Sequence, residues 1–187
     1  MNKLLIIAIV LFLSSCGANK NPHIQISTNF GNIEAELYPD KAPKTVAAFL
    51  SYIDSGFYKN SSFYRVLVTE SMMSDKNTGV IQGGIWQSNN KKATLLHGIV
   101  HESPKQTGLS NTSGTLSLAR STPGTANTEF FICIGDQKAY DLDPDGLGYA
   151  AFGKVISGME IVRKIQEQPA TGQNFTSSVV ILSIERQ

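Results

Sequence analysis

A closed antiparallel β-barrel capped by two α-helices is the fold class that this 187-residue sequence predicts. Two observations carry the expectation. Eight short runs of strand-forming residues are separated by turn residues, and only two stretches place apolar residues at helical spacing. The last of the eight runs lies at the chain end, where a terminal strand can pair with the first and remove an open sheet edge.

The elements follow in order. HIQIST alternates from His23, Phe30-Gly31-Asn32 reads as a turn, and IEAELY alternates again, which together make a hairpin. Pro43 opens a helix with Val46, Ala47, Phe49, Leu50 and Ile53 at helical spacing, and Gly56 stops it. The strand candidates SFYRVLV, GVIQGG, GTLSLA, EFFICI and AAFGKVI come next. A second helix, about Met159 to Gln168, carries Ile161, Val162 and Ile165, and Pro169 ends it. SVVILSIER is the final strand. There are no repeats and no low-complexity segment.

The N-terminus reads differently. Lys3 precedes an unbroken apolar run from Leu4 to Leu13, too short to span a bilayer but suited to a signal-peptide core. Leu13-Ser14-Ser15-Cys16 follows. This string resembles the lipobox of bacterial lipoproteins, which implies a signal peptide over 1–15 and lipid on Cys16. Residues 16–22 then form a polar tether, and 23–187 the folded domain. Two acyl chains anchor a protein stably, each buried CH₂ contributing about 0.8 kcal/mol. Gly17 after the cysteine implies the outer membrane, facing the periplasm, in a cell that has one.

Composition excludes several functions. With 16 Lys and Arg against 15 Asp and Glu, the formal charge of +1 gives no basic patch for nucleic acid. Of the two cysteines, Cys133 sits alone in FFICI and reads as a small core hydrophobe. Asp141 to Gly146 imitates the start of a calcium loop, but its twelfth position is Phe152 rather than Glu. His97, His101 and Glu102 loosely match zinc spacing, yet Gly98 and two β-formers argue against the helix that would align them. No metal or other cofactor is implied.

Three collinear segments carry the functional signal. The first is Phe63-Tyr64-Arg65-Val66 with Ile81-Gln82-Gly83-Gly84. The second runs from Gly114 to Arg120 and continues with Thr128-Glu129-Phe130-Phe131-Ile132. The third is Gly148 to Val155, followed by Gly158-Met159-Glu160. In this order and spacing the set resembles the cyclophilin family in its bacterial form, from about residue 24 to the C-terminus.

The resemblance implies an eight-stranded barrel and peptidyl-prolyl cis–trans isomerisation of proline-containing polypeptides, by a monomer without cofactor. Residue by residue, Arg65 matches the catalytic arginine and Phe131 the floor of the proline pocket. Gln82 matches a glutamine that bonds substrate or Arg65. Leu142 matches an apolar wall, Tyr149 a His or Tyr position, and Ala119 and Arg120 an edge that binds substrate largely through backbone.

The chemistry suits these residue types. The X–Pro bond rotates over a barrier of about 18–20 kcal/mol because the nitrogen lone pair conjugates with the carbonyl. A donor aimed at the pyramidalising nitrogen localises that pair. A thousandfold gain needs about 4 kcal/mol, within reach of one preorganised charge-assisted contact.

The chain also departs from its relatives. Sixteen residues separate Arg65 from Gln82, more than in the short family form, and Gly79 stands where a Phe is expected. Val80, Met72 or Met73 is left to fill that wall. The tryptophan often present at the cyclosporin-contact position is absent; Tyr140 or Asp141 stands there. Glu129 replaces the usual Gln, and a carboxylate near Arg65 is expected to pair with the guanidinium. An alternative reading is a non-catalytic peptide-binding chaperone or scaffold lipoprotein using the same groove.

Overall fold

The computed structural model describes residues 21–69, 77–142 and 146–187. The apolar run 4–13, Cys16, Met72, Met73 and the centre of the Asp141–Gly146 string lie outside them.

The strands are β1 (His23–Thr28), β2 (Gly31–Leu37), β3 (Ser61–Thr69), β4 (Thr78–Gly84), β5 (Thr115–Leu118), β6 (Phe130–Ile134), β7 (Ala151–Ser157), β8 (Ala170–Thr171) and β9 (Asn174–Arg186). Their order is β1-β2-β7-β5-β6-β4-β3-β9, and β1 pairs with β9 to close an eight-stranded antiparallel barrel. The two-residue β8 only forms a hairpin with the start of β9. Closure leaves β1 and β9 without an unpaired edge, as the terminal strand pattern implied.

Alternation decides what faces inward. Ile24 and Ile26 of β1, Ile33, Ala35 and Leu37 of β2, and Val179 and Ile181 of β9 are buried in one core, which Ile184 joins across a register shift in the β1–β9 pairing. β6 is buried on both faces. Phe130, Ile132 and Ile134 point into the main core, while Phe131 and Cys133 join Val80 in a second apolar cluster. Burial raises the Cys133 thiol well above its ordinary range, so it behaves as a hydrophobe rather than a nucleophile.

Among the described residues four helices accompany the barrel, against the two the periodicity predicts: α1 (Pro43–Asp54), α2 (Trp86–Leu95), α3 (Pro104–Thr107) and α4 (Met159–Gln166). Helix α2 has no apolar stripe to read. Only Ala93 is buried, and Asn89 breaks the helical backbone at φ −155°, its side-chain oxygen capping Lys92 N–H at 3.1 Å. Helix α3 is a single turn with a capping box between Ser103 and Gln106. That box, followed by Pro104, was a signal available in the sequence.

Helix α1 buries Val46, Phe49, Leu50 and Ile53, and Ala42 offers its N-terminus no side-chain cap. Glu102 supplies one from 57 residues away, accepting from Thr45 N–H at 2.8 Å and Lys44 N–H at 3.2 Å. The residue that mimicked a metal ligand thus satisfies orphan helix donors and faces the positive end of the helix dipole. Glu102→Ala is expected to lower unfolding free energy by about 1–2 kcal/mol. Urea denaturation followed by circular dichroism checks it, and an unchanged midpoint would remove Glu102 from this role.

Candidate functional site

The cleft begins with a fault in a strand. β3 pairs Phe63 with Gly83 of β4 and then Arg65 with Gln82, so Tyr64 is left over in a bulge. Phe63 and Val66 both enter the main core, which strict alternation forbids for residues three apart. The bulge absorbs the mismatch and turns two consecutive side chains, Tyr64 and Arg65, to the same outer cleft.

Register then assembles the site. Arg65 of β3 opposes Gln82 of β4, Gln82 opposes Phe131 of β6, and Phe131 opposes Ser117 of β5. Three side chains from distant segments therefore form one row across neighbouring strands. They line a cleft of about 440 Å³.

At one end of the row the Arg65 guanidinium is held from two sides. Its Nη1 donates to Gln82 Oε1 at 3.1 Å, and its Nε donates to Gln173 Oε1 at 3.1 Å. Nη2 donates to the same Gln173 oxygen. Gln173 belongs to the turn between β8 and β9, and its carbonyl also accepts from Val66 N–H at 2.9 Å. Both grips are neutral acceptors, and among the described residues no carboxylate cancels the positive charge they fix in place.

At the other end are three rings. Phe131 meets Tyr140 edge-on at 5.8 Å and Tyr149 at 5.4 Å, and the two tyrosines are 5.3 Å apart. Such tilted contacts lock ring orientation beyond what burial alone does. Asp141 ties the Tyr140 segment to the loop before β5, accepting from Asn111 N–H at 2.7 Å and Ser110 Oγ–H at 2.5 Å. Arg120 donates through Nε to Gly148 O at 3.1 Å, and its guanidinium lies 5.1 Å from the Tyr149 ring. Ala119 packs against the Val80–Phe131–Cys133 cluster, and its N–H is taken by Glu129 O at 2.8 Å.

The arrangement offers a fixed cationic donor beside an apolar, aromatic socket. It fits a reaction that needs charge placed near a nitrogen while a small apolar ring is held still.

Residues 23–186 match the family of cyclophilin-type peptidyl-prolyl cis-trans isomerases. The chain belongs to that family. It is 39% identical over 176 residues to a peptidyl-prolyl cis-trans isomerase of Acinetobacter baylyi, covering 92% of this chain and 88% of that one. Peptidyl-prolyl cis-trans isomerase A of Dickeya dadantii is 33% identical, with 97% and 96% covered. Isomerase B of Escherichia coli is 36% identical, with 81% and 87% covered. Among solved structures, a Cryptosporidium parvum cyclophilin-type isomerase superposes with a TM-score of 0.69 at 24% identity, covering 89% of this chain and 98% of that one, which speaks for the fold. This cyclophilin is a peptidyl-prolyl cis–trans isomerase.

Of the side chains singled out in the sequence, Arg65, Gln82, Glu129, Phe131, Ala119, Arg120 and Tyr149 all line the one cleft. Leu142 does not. It ends the 3₁₀ turn Lys138–Asp141 and is 66% exposed. Tyr140, two residues earlier, lines the cleft in its place because that turn carries it inward against Phe131. Among the described residues, Val80 and Leu67 line the cleft at the Gly79 wall, while Met72 and Met73 lie outside those residues. Gly79 has φ +131°, and a Cβ there would come within 1.9 Å of Leu67 O, so no side chain fits.

Glu129 also differs from expectation. Its carboxylate does not meet the guanidinium. Oε2 accepts from the Tyr64 hydroxyl at 2.6 Å, and Oε1 accepts from Trp86 N–H at 3.0 Å and Thr128 Oγ1–H at 3.1 Å. Burial pushes its pKa above the usual carboxylate value, and these donors pull it back. The cause is the bulge, which inserts Tyr64 between the acid and Arg65. Tyr64, Trp86 and Gln173 are cleft or support residues that pattern reading missed, although Tyr64 sat inside the first motif.

Proposed function

We propose that this cyclophilin is a lipid-anchored isomerase of the bacterial cell envelope that rotates X–Pro bonds in envelope proteins, with Arg65 as the catalytic side chain. The observation that carries the chemistry is Arg65 held by two neutral amide oxygens in the same cleft as Phe131. A substrate proline ring seats against Phe131, Tyr149 and Val80. Arg65 then donates toward the imide nitrogen as it pyramidalises, favouring the twisted state over either planar one. Gln82 holds the arginine and lies within reach of the substrate backbone. Arg120 and Ala119 edge the groove, where the peptide flanks run. A proline-isomerisation assay on residues 19–187 tests the activity, and a rate equal to the uncatalysed one would overturn it.

Support for the anchor is the string Leu13-Ser14-Ser15-Cys16 after the apolar run, followed by only six residues before β1. Cys16→Ser is expected to abolish incorporation of labelled fatty acid and release the protein from membranes, with the barrel still folded. Label retained on the serine variant would refute lipidation at this position.

A further inference from the structure

Beside the arginine runs a chain of hydrogen bonds. Arg65 Nη1 donates to Gln82 Oε1 at 3.1 Å, Gln82 Nε2 donates to the Tyr64 hydroxyl oxygen at 3.0 Å, and the Tyr64 hydroxyl donates to Glu129 Oε2 at 2.6 Å. One end is a guanidinium, which can only donate. The other is a carboxylate, which in its ionised form can only accept. Between them sit a primary amide that can turn end for end and a hydroxyl that can point either way. With a donor-only end and an acceptor-only end, one consistent direction remains for every link.

The carboxylate is seated for this task. Trp86 N–H and Thr128 Oγ1–H engage its other oxygen. Gly84 clears the space, because a Cβ there would fall 2.4 Å from Glu129 Oε1. Tyr64 is itself 8% exposed, so water does not readily replace its partners.

We propose that Glu129 is a positioning residue, acting through Tyr64 and Gln82 to fix the amide of Gln82 with its oxygen toward Arg65 and so hold the guanidinium in its working orientation. This rests on Arg65 being the catalytic side chain. A glutamine at position 129 breaks the logic. Its amide can donate to the Tyr64 oxygen, the tyrosine proton then turns toward Gln82, and the Gln82 amide turns its nitrogen toward Arg65. Two donors then face each other, and the guanidinium swings away.

The test separates kcat from KM by NMR exchange on a proline-containing peptide, for Glu129→Gln, Tyr64→Phe and the double variant. Each single change is expected to lower kcat about tenfold with KM shifted by no more than about twofold, the signature of lost orientation rather than lost binding. Because both act through one relay, the double variant is expected to fall no further than about twofold below the weaker single one. Nitrogen-15 relaxation at Arg65 Nε should report a mobile guanidinium in all three. Independent losses that multiply to about a hundredfold, or an effect of Glu129→Gln confined to KM, would mean that Glu129 meets substrate directly and would overturn the proposal. So would an unchanged kcat. Should Glu129→Gln not fold, Tyr64→Phe decides alone by the same kcat criterion. An Arg65→Ala variant run alongside distinguishes the two levels: full activity there removes the catalytic assignment itself, whereas lost activity there with an unaltered Glu129→Gln removes only the relay.

Discussion

Arg65→Ala is expected to lower kcat/KM at least about a hundredfold, or about 2.7 kcal/mol of transition-state stabilisation, while the barrel stays folded. The side chain lies half-buried at the rim of the cleft and is absent from the apolar core, so its removal opens no internal cavity. What it leaves are two glutamine oxygens, on Gln82 and Gln173, both close enough to the surface for water to bond them. Stability should therefore move little. Arg65→Lys separates charge from shape. An ammonium keeps the charge but lacks the planar fork that bonds Gln82 and Gln173 at once. The lysine variant is thus expected to recover only a small part of the loss. Isomerisation rates by NMR exchange, set beside thermal melts of the same samples, decide the matter. Near-full activity in the alanine variant would refute the assignment of Arg65.

Much of this site was legible because register does the assembling. Arg65, Gln82 and Phe131 each sit in one of the collinear motifs that resemble the family, and the neighbouring antiparallel strands that carry them place such residues in rows. Tyr149 and Arg120 lie just outside β7 and β5 and were found through the same motifs. The failures have physical causes too. A bulge adds one residue without changing composition, so nothing in FYRV announces that Tyr64 and Arg65 share a face, and the partner of Glu129 was misassigned in consequence. Gln173 lies 108 residues from Arg65 in a turn, and only the pairing of β9 with β3 brings it there. Leu142 and Tyr140 are separated by part of a 3₁₀ turn, whose orientation depends on Asp141 finding Ser110 and Asn111 across the fold. Helix α2 was invisible because it buries a single alanine. Patterns that arise from periodic burial can be read from one chain; those that arise from a single long-range polar contact cannot.

The adjacent phenylalanines of β6 provide the sharpest contrast between fold and function. Phe130 is fully buried and touches Phe49 at 5.4 Å, Tyr58 at 5.8 Å and Phe63 at 5.7 Å between ring centres, all in edge-on geometry. These rings join helix α1, the segment before β3 and the bulged strand itself. Truncating Phe130 to alanine empties the centre of that cluster, and such substitutions cost about 3–5 kcal/mol where the surroundings cannot collapse. The melting temperature should fall on the order of 10 °C for a domain of this size. Phe131, one residue on, points outward with Tyr140 and Tyr149 and borders the cleft. Phe131→Ala opens a space that is already in contact with solvent on one side, so its stability cost should be clearly smaller than that of Phe130→Ala. Its activity cost should be larger, because the proline ring loses the surface that holds it against rotation with the rest of the peptide. A loss of about tenfold or more in kcat/KM is expected, equivalent to one aromatic contact of about 1.4 kcal/mol or more. Melts and isomerisation rates measured on both variants, below the melting temperature of each, test the pair. If Phe131→Ala proves the less stable and Phe130→Ala the less active, then β6 presents its faces the other way round, and the cleft described above is not where the chemistry occurs.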